Sequence, residues 1–280
     1  AVTIQPKLAG TNFTNTATVT LTAGAMSAGQ STVSASPSSV TADGVSTSTI
    51  TVTLKDANSN PIQGGSVTLS QGGGSSTISS ASGVSGANGV VTFTVTSTTV
   101  EMVTYSATSG GVTITQTANV QFAAGSVDHF DIALPSPPAG DDAEQASFVG
   151  VNLMGGPSAG GTSAELVASV MRAGRFKVGV DISGVTITAK DAQNHTVTSF
   201  TGTVTMGGTA GQTGTSGAFT SGVRTESITP RNAGSARTFT VTDGSGHNGS
   251  STLDVDPGDP SATTSTVTAS PASLTANGTS

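Results

Sequence analysis

Cysteine and tryptophan are both missing from this chain of 280 residues. Without cysteine there is no disulfide, no thiolate metal ligand and no cysteine nucleophile. The absence does not fix a compartment, because exported bacterial proteins also avoid cysteine. Charge is scarce as well. Charged residues make up 9% of the chain, against about 25% in an ordinary globular domain. The 9 basic residues are outnumbered by 16 acidic ones, for a net charge of −7. No basic cluster exists, which argues against a nucleic-acid partner. No run of about 18 apolar residues exists, so no stretch reads as a transmembrane helix.

What is present is small and regularly spaced. Glycine occurs 37 times, among many serines and threonines. The apolar residues are too frequent and too regular for disorder. Val, Ile and Thr alternate, as they do on pleated, half-buried surfaces, so the chain reads as all-β. Its length suggests roughly two domains.

The chain repeats itself. Residues 2–24, VTIQPKLAGTNFTNTATVTLTAG, align without a gap on 103–125, VTYSATSGGVTITQTANVQFAAG. Residues 31–46, STVSASPSSVTADGVS, align without a gap on 265–280, STVTASPASLTANGTS. The pattern predicts four pieces: the C-terminal part of a preceding module at 1–28, a complete module at 29–125, a second module at 126–260, and the N-terminal part of a following module at 261–280. The opening and closing pieces add up to too little of a sandwich, so the chain is expected to be a window on a longer array. The second module shares the turn KDAQNHT with KDANSNP of the first.

Within the complete module, Ile50, Val52 and Leu54 face one way and Thr51 and Thr53 the other. The alternation returns at Val67 and Leu69, at Val91, Phe93 and Val95, at Val103, Tyr105 and Ala107, and at Val120 and Phe122. Asp43-Gly44, Asn60-Pro61, Gly72-Gly73-Gly74, Asn88-Gly89 and Gly110-Gly111 punctuate the strands. About seven short strands in roughly 95 residues predict an antiparallel two-sheet sandwich of immunoglobulin-like type. The second module carries an insertion at about 137–176. A hairpin is expected there, with Phe148, Val149, Val151 and Leu153 on one arm and Leu166, Val167 and Val170 on the other. A short helix over 163–172 is the competing reading, and contact with a neighbouring module or molecule is expected of the insertion.

The stretches SPSSVTADGVSTSTITVTLKDANSNPI, GANGVVTFTVTSTTVEMVTYSATSGG and TANVQFAAG resemble bacterial Ig-like modules of the invasin/intimin type (Big_1). Residues 1–24 and 265–280 resemble parts of its siblings, and 126–260 resembles bacterial Ig-like repeats more broadly. The resemblance implies tandem extracellular modules on a bacterial cell surface, acting as stalk or filament in adhesion or assembly. Their partners would be neighbouring modules, copies of the chain, or host and surface proteins or glycans. Ig-like modules that decorate a phage virion or tail, and accessory modules of a secreted glycan-active enzyme, are the alternatives.

No catalytic, cofactor-binding or metal-binding residue is assigned from the sequence, and the chain is read as no enzyme. Ser158 lies in a G-x-S-x-G pattern that a Gly/Ser-rich segment produces by chance. His129, His195 and His247 fall at a strand start, a turn and a loop, and read as solvated. Asp56, Asn58 and Asn60 alternate as calcium ligands can, yet no bidentate Glu follows and Asx-turn chemistry explains them. Asp256 and Asp259 in DPGDP leave calcium at a module junction open, beside the simpler reading of a stiff proline linker. Asp141, Asp142 and Glu144 read as a solvated loop. Asn12, Asn194, Asn248 and Asn277 begin N-x-[ST] sequons that a Thr-rich chain yields by chance.

Overall fold

The computed structural model describes residues 2–138 and 175–258, and every regular element among them is a strand. Contacts divide the chain into two units: 1–126 with 191–197, and 127–190 with 198–280.

The first unit opens with four short strands, β1 (Val2–Ile4), β2 (Lys7–Leu8), β3 (Thr11–Asn12) and β4 (Ala17–Val19). It continues with β5 (Thr32–Ser36), β6 (Ser39–Thr41), β7 (Ser48–Thr53), β8 (Ser66–Gln71), β9 (Thr77–Ile78), β10 (Ser82–Val84), β11 (Val90–Thr96), β12 (Glu101–Ser109), β13 (Val112–Thr113) and β14 (Ala118–Ala123). One sheet has the order β5-β7-β11-β9, the other β10-β8-β12-β14-β6, with β13 beside β12. Their inner faces meet in one core. Ile50, Val52, Leu54, Val95, Val103, Tyr105, Ala107, Val120 and Phe122 are all fully buried, as the period-two alternation demands. A buried Leu, Ile or Phe contributes about 1.5–3 kcal/mol, so the core holds without tryptophan or a disulfide. Tyr105 resolves its buried hydroxyl by donating to Ser76 Oγ at 2.6 Å.

One expectation needs correction. The sandwich is not purely antiparallel, because its first strand is split. β5 pairs antiparallel with β7, the chain then crosses over, and β6 pairs parallel with β14.

The opening strands repeat the closing hairpin residue for residue. β1 and β4 pair as Val2↔Val19, Thr3↔Thr18 and Ile4↔Ala17. β12 and β14 pair as Val103↔Val120, Thr104↔Asn119 and Tyr105↔Ala118. The same holds for Lys7↔Asn12 and Leu8↔Thr11 against Thr108↔Thr113 and Ser109↔Val112. Burial does not repeat. Val103, Tyr105, Val120 and Phe122 are fully buried, whereas Val2, Ile4, Val19 and Leu21 are 50%, 52%, 43% and 76% exposed.

The second unit contains β15 (His129–Ala133), β16 (Phe176–Lys177), β17 (Ile182–Lys190), β18 (Thr205–Gly207), β19 (Gly214–Thr215), β20 (Val223–Ile228), β21 (Gly234–Thr242) and β22 (Asn248–Asp256). Its strands pair as two groups, β19-β18-β21-β22 with β16 beside β22, and β15-β17-β20, which one bridge joins edge to edge. The link is β15, antiparallel to β17 and bridged in parallel to β22 at His129↔Asn248. Gly249 permits that approach, since a Cβ there would lie 2.1 Å from the Phe130 carbonyl oxygen. Phe200 packs edge to face on both Phe130 and Phe219, which are tilted to each other, with ring centroids 4.9–5.8 Å apart. β16 pairs parallel with β22, as β6 does with β14, so the split strand recurs and the insertion falls within its crossover. The expected hairpin or helix of the insertion, Ser158, and the acidic residues Asp141, Asp142 and Glu144 lie outside the described residues. So do Asp259, Asn277 and the closing repeat 265–280.

Candidate functional site: the aspartate-capped turns

The turn KDANSNP follows β7 and is organised by one carboxylate. Asp56 Oδ1 accepts the backbone N–H groups of Asn58 and Asn60, both at 2.9 Å. Oδ2 accepts the Asn60 side-chain amide at 3.0 Å and, from far along the chain, the N–H of Gly24 at 2.9 Å. Four donors thus occupy a side chain that is 4% exposed. The Asn60 amide, the Gly24 N–H and the Asn60 N–H hold the Asp56 carboxyl down, to about 2 from an ordinary 3.8. The linker is tied further. Ser27 N–H donates to Lys55 O at 2.8 Å, and the Ser31 hydroxyl accepts the Lys55 N–H at 3.0 Å.

The turn KDAQNHT is built the same way, at the second copy of the same residues. Asp191 Oδ1 accepts the N–H groups of Gln193 and His195, at 3.0 and 2.8 Å. Oδ2 accepts the N–H of Gly125 at 2.8 Å and faces His195 Nδ1 at 3.1 Å. Gly125 aligns with Gly24, and His195 stands where the first turn has Asn60. Asp128 N–H donates to Lys190 O at 2.8 Å, the counterpart of Ser27 to Lys55. Burial pushes the Asp191 carboxyl up, but the bonds from Gly125, His195 and Gln193 outweigh it and leave it below its ordinary value. Within this turn the His195 ring also reaches the first unit's β11–β12 loop, with Nε2 2.8 Å from Thr98 O.

A third turn uses the device locally. Asp243 Oδ1 accepts the N–H groups of Ser245 and His247, both at 2.9 Å, and Oδ2 meets His247 Nδ1 at 2.8 Å. Burial raises the Asp243 carboxyl, and the His247 ring with these N–H groups brings it below its usual range.

The histidines read as solvated turn residues keep 20–36% of their side chains exposed, and each also faces an aspartate. His195 and His247 each complete an aspartate turn four residues on, and His129 lies between Asp128 at 3.0 Å and Asp131 at 3.7 Å. A signal was present in the sequence, because D-x-x-x-H and D-x-x-x-N recur at 191–195, 243–247 and 56–60. The structure does not join the three histidines to each other or to a nucleophile. At Asp56, both carboxylate oxygens are already engaged by N–H donors. That is the Asx-turn chemistry expected, and it presents no oxygen cage to a cation. Among the described residues no cluster of three His, Asp or Glu side chains could hold a metal. Asp256 instead pairs with Arg175 Nη1 at 2.9 Å.

The comparisons agree with this architecture. Residues 27–125 match the family model of invasin, domain 3. The invasin-like module therefore begins in the linker clasped by Asp56 and ends at Gly125, the residue that Asp191 holds. Among solved structures the chain is similar to FdeC, an Escherichia coli adhesin, with a TM-score of 0.51 and 21% identity over 91% of this chain and 73% of that one. It is also similar to invasin, a bacterial integrin-binding protein, with a TM-score of 0.52 and 16% identity over 91% of this chain and 45% of that one. Likeness at this identity shows the fold, tandem Ig-like sandwiches of the invasin/intimin type. No curated protein is similar to the chain at a significant level.

Proposed function

We propose that this chain is a section of a bacterial surface adhesin in which Ig-like modules follow one another as a stalk. The observation that carries the reading is the Gly–Asp clasp, made twice by equivalent residues. Gly24 is held by Asp56 and Gly125 by Asp191. A glycine closing one module is tied to the turn after the second strand of the next module in sequence. That is a device for repeating units rather than for binding a ligand. The register-matched hairpin at 2–22 supports reading 1–28 as a piece of a module separate from 29–125, in a division that continues as 126–260 and 261–280. The module 29–125 is of the Big_1 kind, and the modules stand outside the cell on the bacterial surface. The partners are neighbouring modules and, by analogy with the integrin-binding invasin, host surface proteins; catalysis has no part in the role.

Pulling on single molecules tests a mechanical role. Stretching the chain should release the module 29–125 in one step that lengthens the molecule by its extended length of about 33 nm, at roughly 3.4 Å per residue, less the span of the folded module. Gradual extension with no discrete step would overturn the stalk reading.

A further inference from the structure

His195 is placed so that both ring nitrogens face acceptors. Nδ1 lies 3.1 Å from the Asp191 carboxylate and Nε2 lies 2.8 Å from the carbonyl of Thr98. Neither partner can donate. Asp191 already accepts three backbone N–H groups, and a carbonyl oxygen has no proton. A neutral imidazole carries one N–H and can satisfy one acceptor, leaving its other nitrogen lone pair against an oxygen. Only the imidazolium donates to both. The Asp191 side chain is 1% exposed and the ring 20%, so the Nδ1 contact is shielded, while the Nε2 contact with Thr98 lies at the exposed edge of the turn.

We propose that the clasp at 191–197 is locked by protonation: it closes with its full set of hydrogen bonds when His195 is imidazolium and loses one when the ring is neutral. This rests on the reading of the turns as joints of the array and adds a regulation to one of them. The first turn is the internal contrast. Asn60 occupies the same position, and its amide donates to Asp56 Oδ2 without a titrating proton near neutrality. The ionisable groups on the elements around the ring are few. Asp191 and Lys190 lie on its own stretch. Glu101 lies at the end of the loop bearing Thr98, where its carboxylate accepts from Ser75 and Ser97. Asp128 and His129 follow Gly125 along the linker. Histidine is the group among these whose ordinary titration crosses the physiological range.

Isotope-labelled chain studied by NMR at about pH 5.5 and about pH 8.5, either side of that range, tests the lock. The Thr98 carbonyl resonance should move in step with the His195 ring. Exchange of the Gly125 and Gln193 amides, corrected for intrinsic rates, should quicken about fivefold at the higher pH, as expected for one net hydrogen bond. The variant His195→Asn should hold the turn as Asn60 does and abolish the pH effect, while His247→Asn leaves it intact. A Thr98 carbonyl indifferent to the His195 titration would overturn the proposal. So would the same pH effect persisting in His195→Asn. These readouts concern the turn alone, so their failure is separable from failure of the pulling experiment.

Discussion

Phe122→Ala and Leu21→Ala remove side chains from equivalent positions of the repeat, yet the structure expects them to differ severalfold in effect. Phe122 is fully buried between the two sheets, and truncating such a residue costs about 3–5 kcal/mol through lost transfer energy and the cavity left behind. Leu21 is 76% exposed. Fully burying a leucine contributes about 1.5–3 kcal/mol, so the quarter that is covered is worth about 0.4–0.7 kcal/mol. A domain has about 5–15 kcal/mol in total, so the first change removes a large share of the margin and the second almost none. The assay is built into the sequence. Tyr105 is the single tyrosine and tryptophan is absent, so intrinsic fluorescence reports unfolding of the first unit alone. With a urea m-value of about 2 kcal/mol/M, Phe122→Ala should lower the midpoint by about 2 M, and Leu21→Ala by less than about 0.4 M. Equal shifts would refute the burial argument, because they would mean the 2–22 hairpin is covered as completely as its twin. In a longer protein whose further strands cover that hairpin, the cost of Leu21→Ala should climb towards that of Phe122→Ala.

Three further outcomes follow from the same structure. Ile50→Asp buries an unpaired charge opposite Phe93 and Ala35 and should cost several kcal/mol, while Thr51→Asp, on the outer face, should change the urea midpoint little; comparable effects would show the facing to be wrong. Asp56 has a folded-state value near 2, below its ordinary 3.8, so its contribution is complete above about 4 and fades as pH falls towards 2, with Asp191 and Asp243 acting in the same direction; a thermal midpoint that stays flat from pH 4 to pH 2 would contradict this. Gly249→Ala brings a Cβ within 2.1 Å of the Phe130 carbonyl and should destabilise the second unit by about 2 kcal/mol or more, whereas Gly244→Ala, with open space around it, should stay within about 0.5 kcal/mol in calorimetry.

The strands were legible because a half-buried sheet forces a period of two, and no other element does. Ile50 to Leu54 and Val103 to Ala107 display it without interruption, and their burial follows it residue by residue. The offset between 2–24 and 103–125 even carried the pairing register of β1 with β4. What escaped the sequence is what depends on distant partners. Asp56 reads as a local turn residue, and nothing near it announces a donor 32 positions earlier at Gly24; at Asp191 the insertion stretches that separation to 66. The bridge that joins β15 to β22 was equally hidden, since it turns on one residue pair and one glycine. The aspartate contacts of His195 and His247 have a local signal, the spacing of four residues that each keeps from an aspartate.

The place of the insertion follows from the split first strand. In the first unit the crossover from β5 to β6 uses only Pro37 and Ser38, whereas in the second the crossover from β15 to β16 runs through 134–175. Lengthening a connection about twentyfold costs about 2.6 kcal/mol by loop-closure entropy. Re-entry is secured at once on the far side. Phe176 is 7% exposed and pairs with Val255, and burying a phenylalanine contributes about 2–3 kcal/mol. Its neighbour Arg175 adds an ion pair to Asp256 at 2.9 Å and a bond to Ser235 at 3.0 Å. Anchors of that size offset the closure cost at the site where it arises, so β16 resumes on β22 the parallel pairing that β6 makes on β14. In sequence, Gly125 precedes β15 and Asp191 follows β17, and the two are bonded at 2.8 Å. A long insertion between the first two strand segments therefore leaves the pairing of β16 with β22 in place.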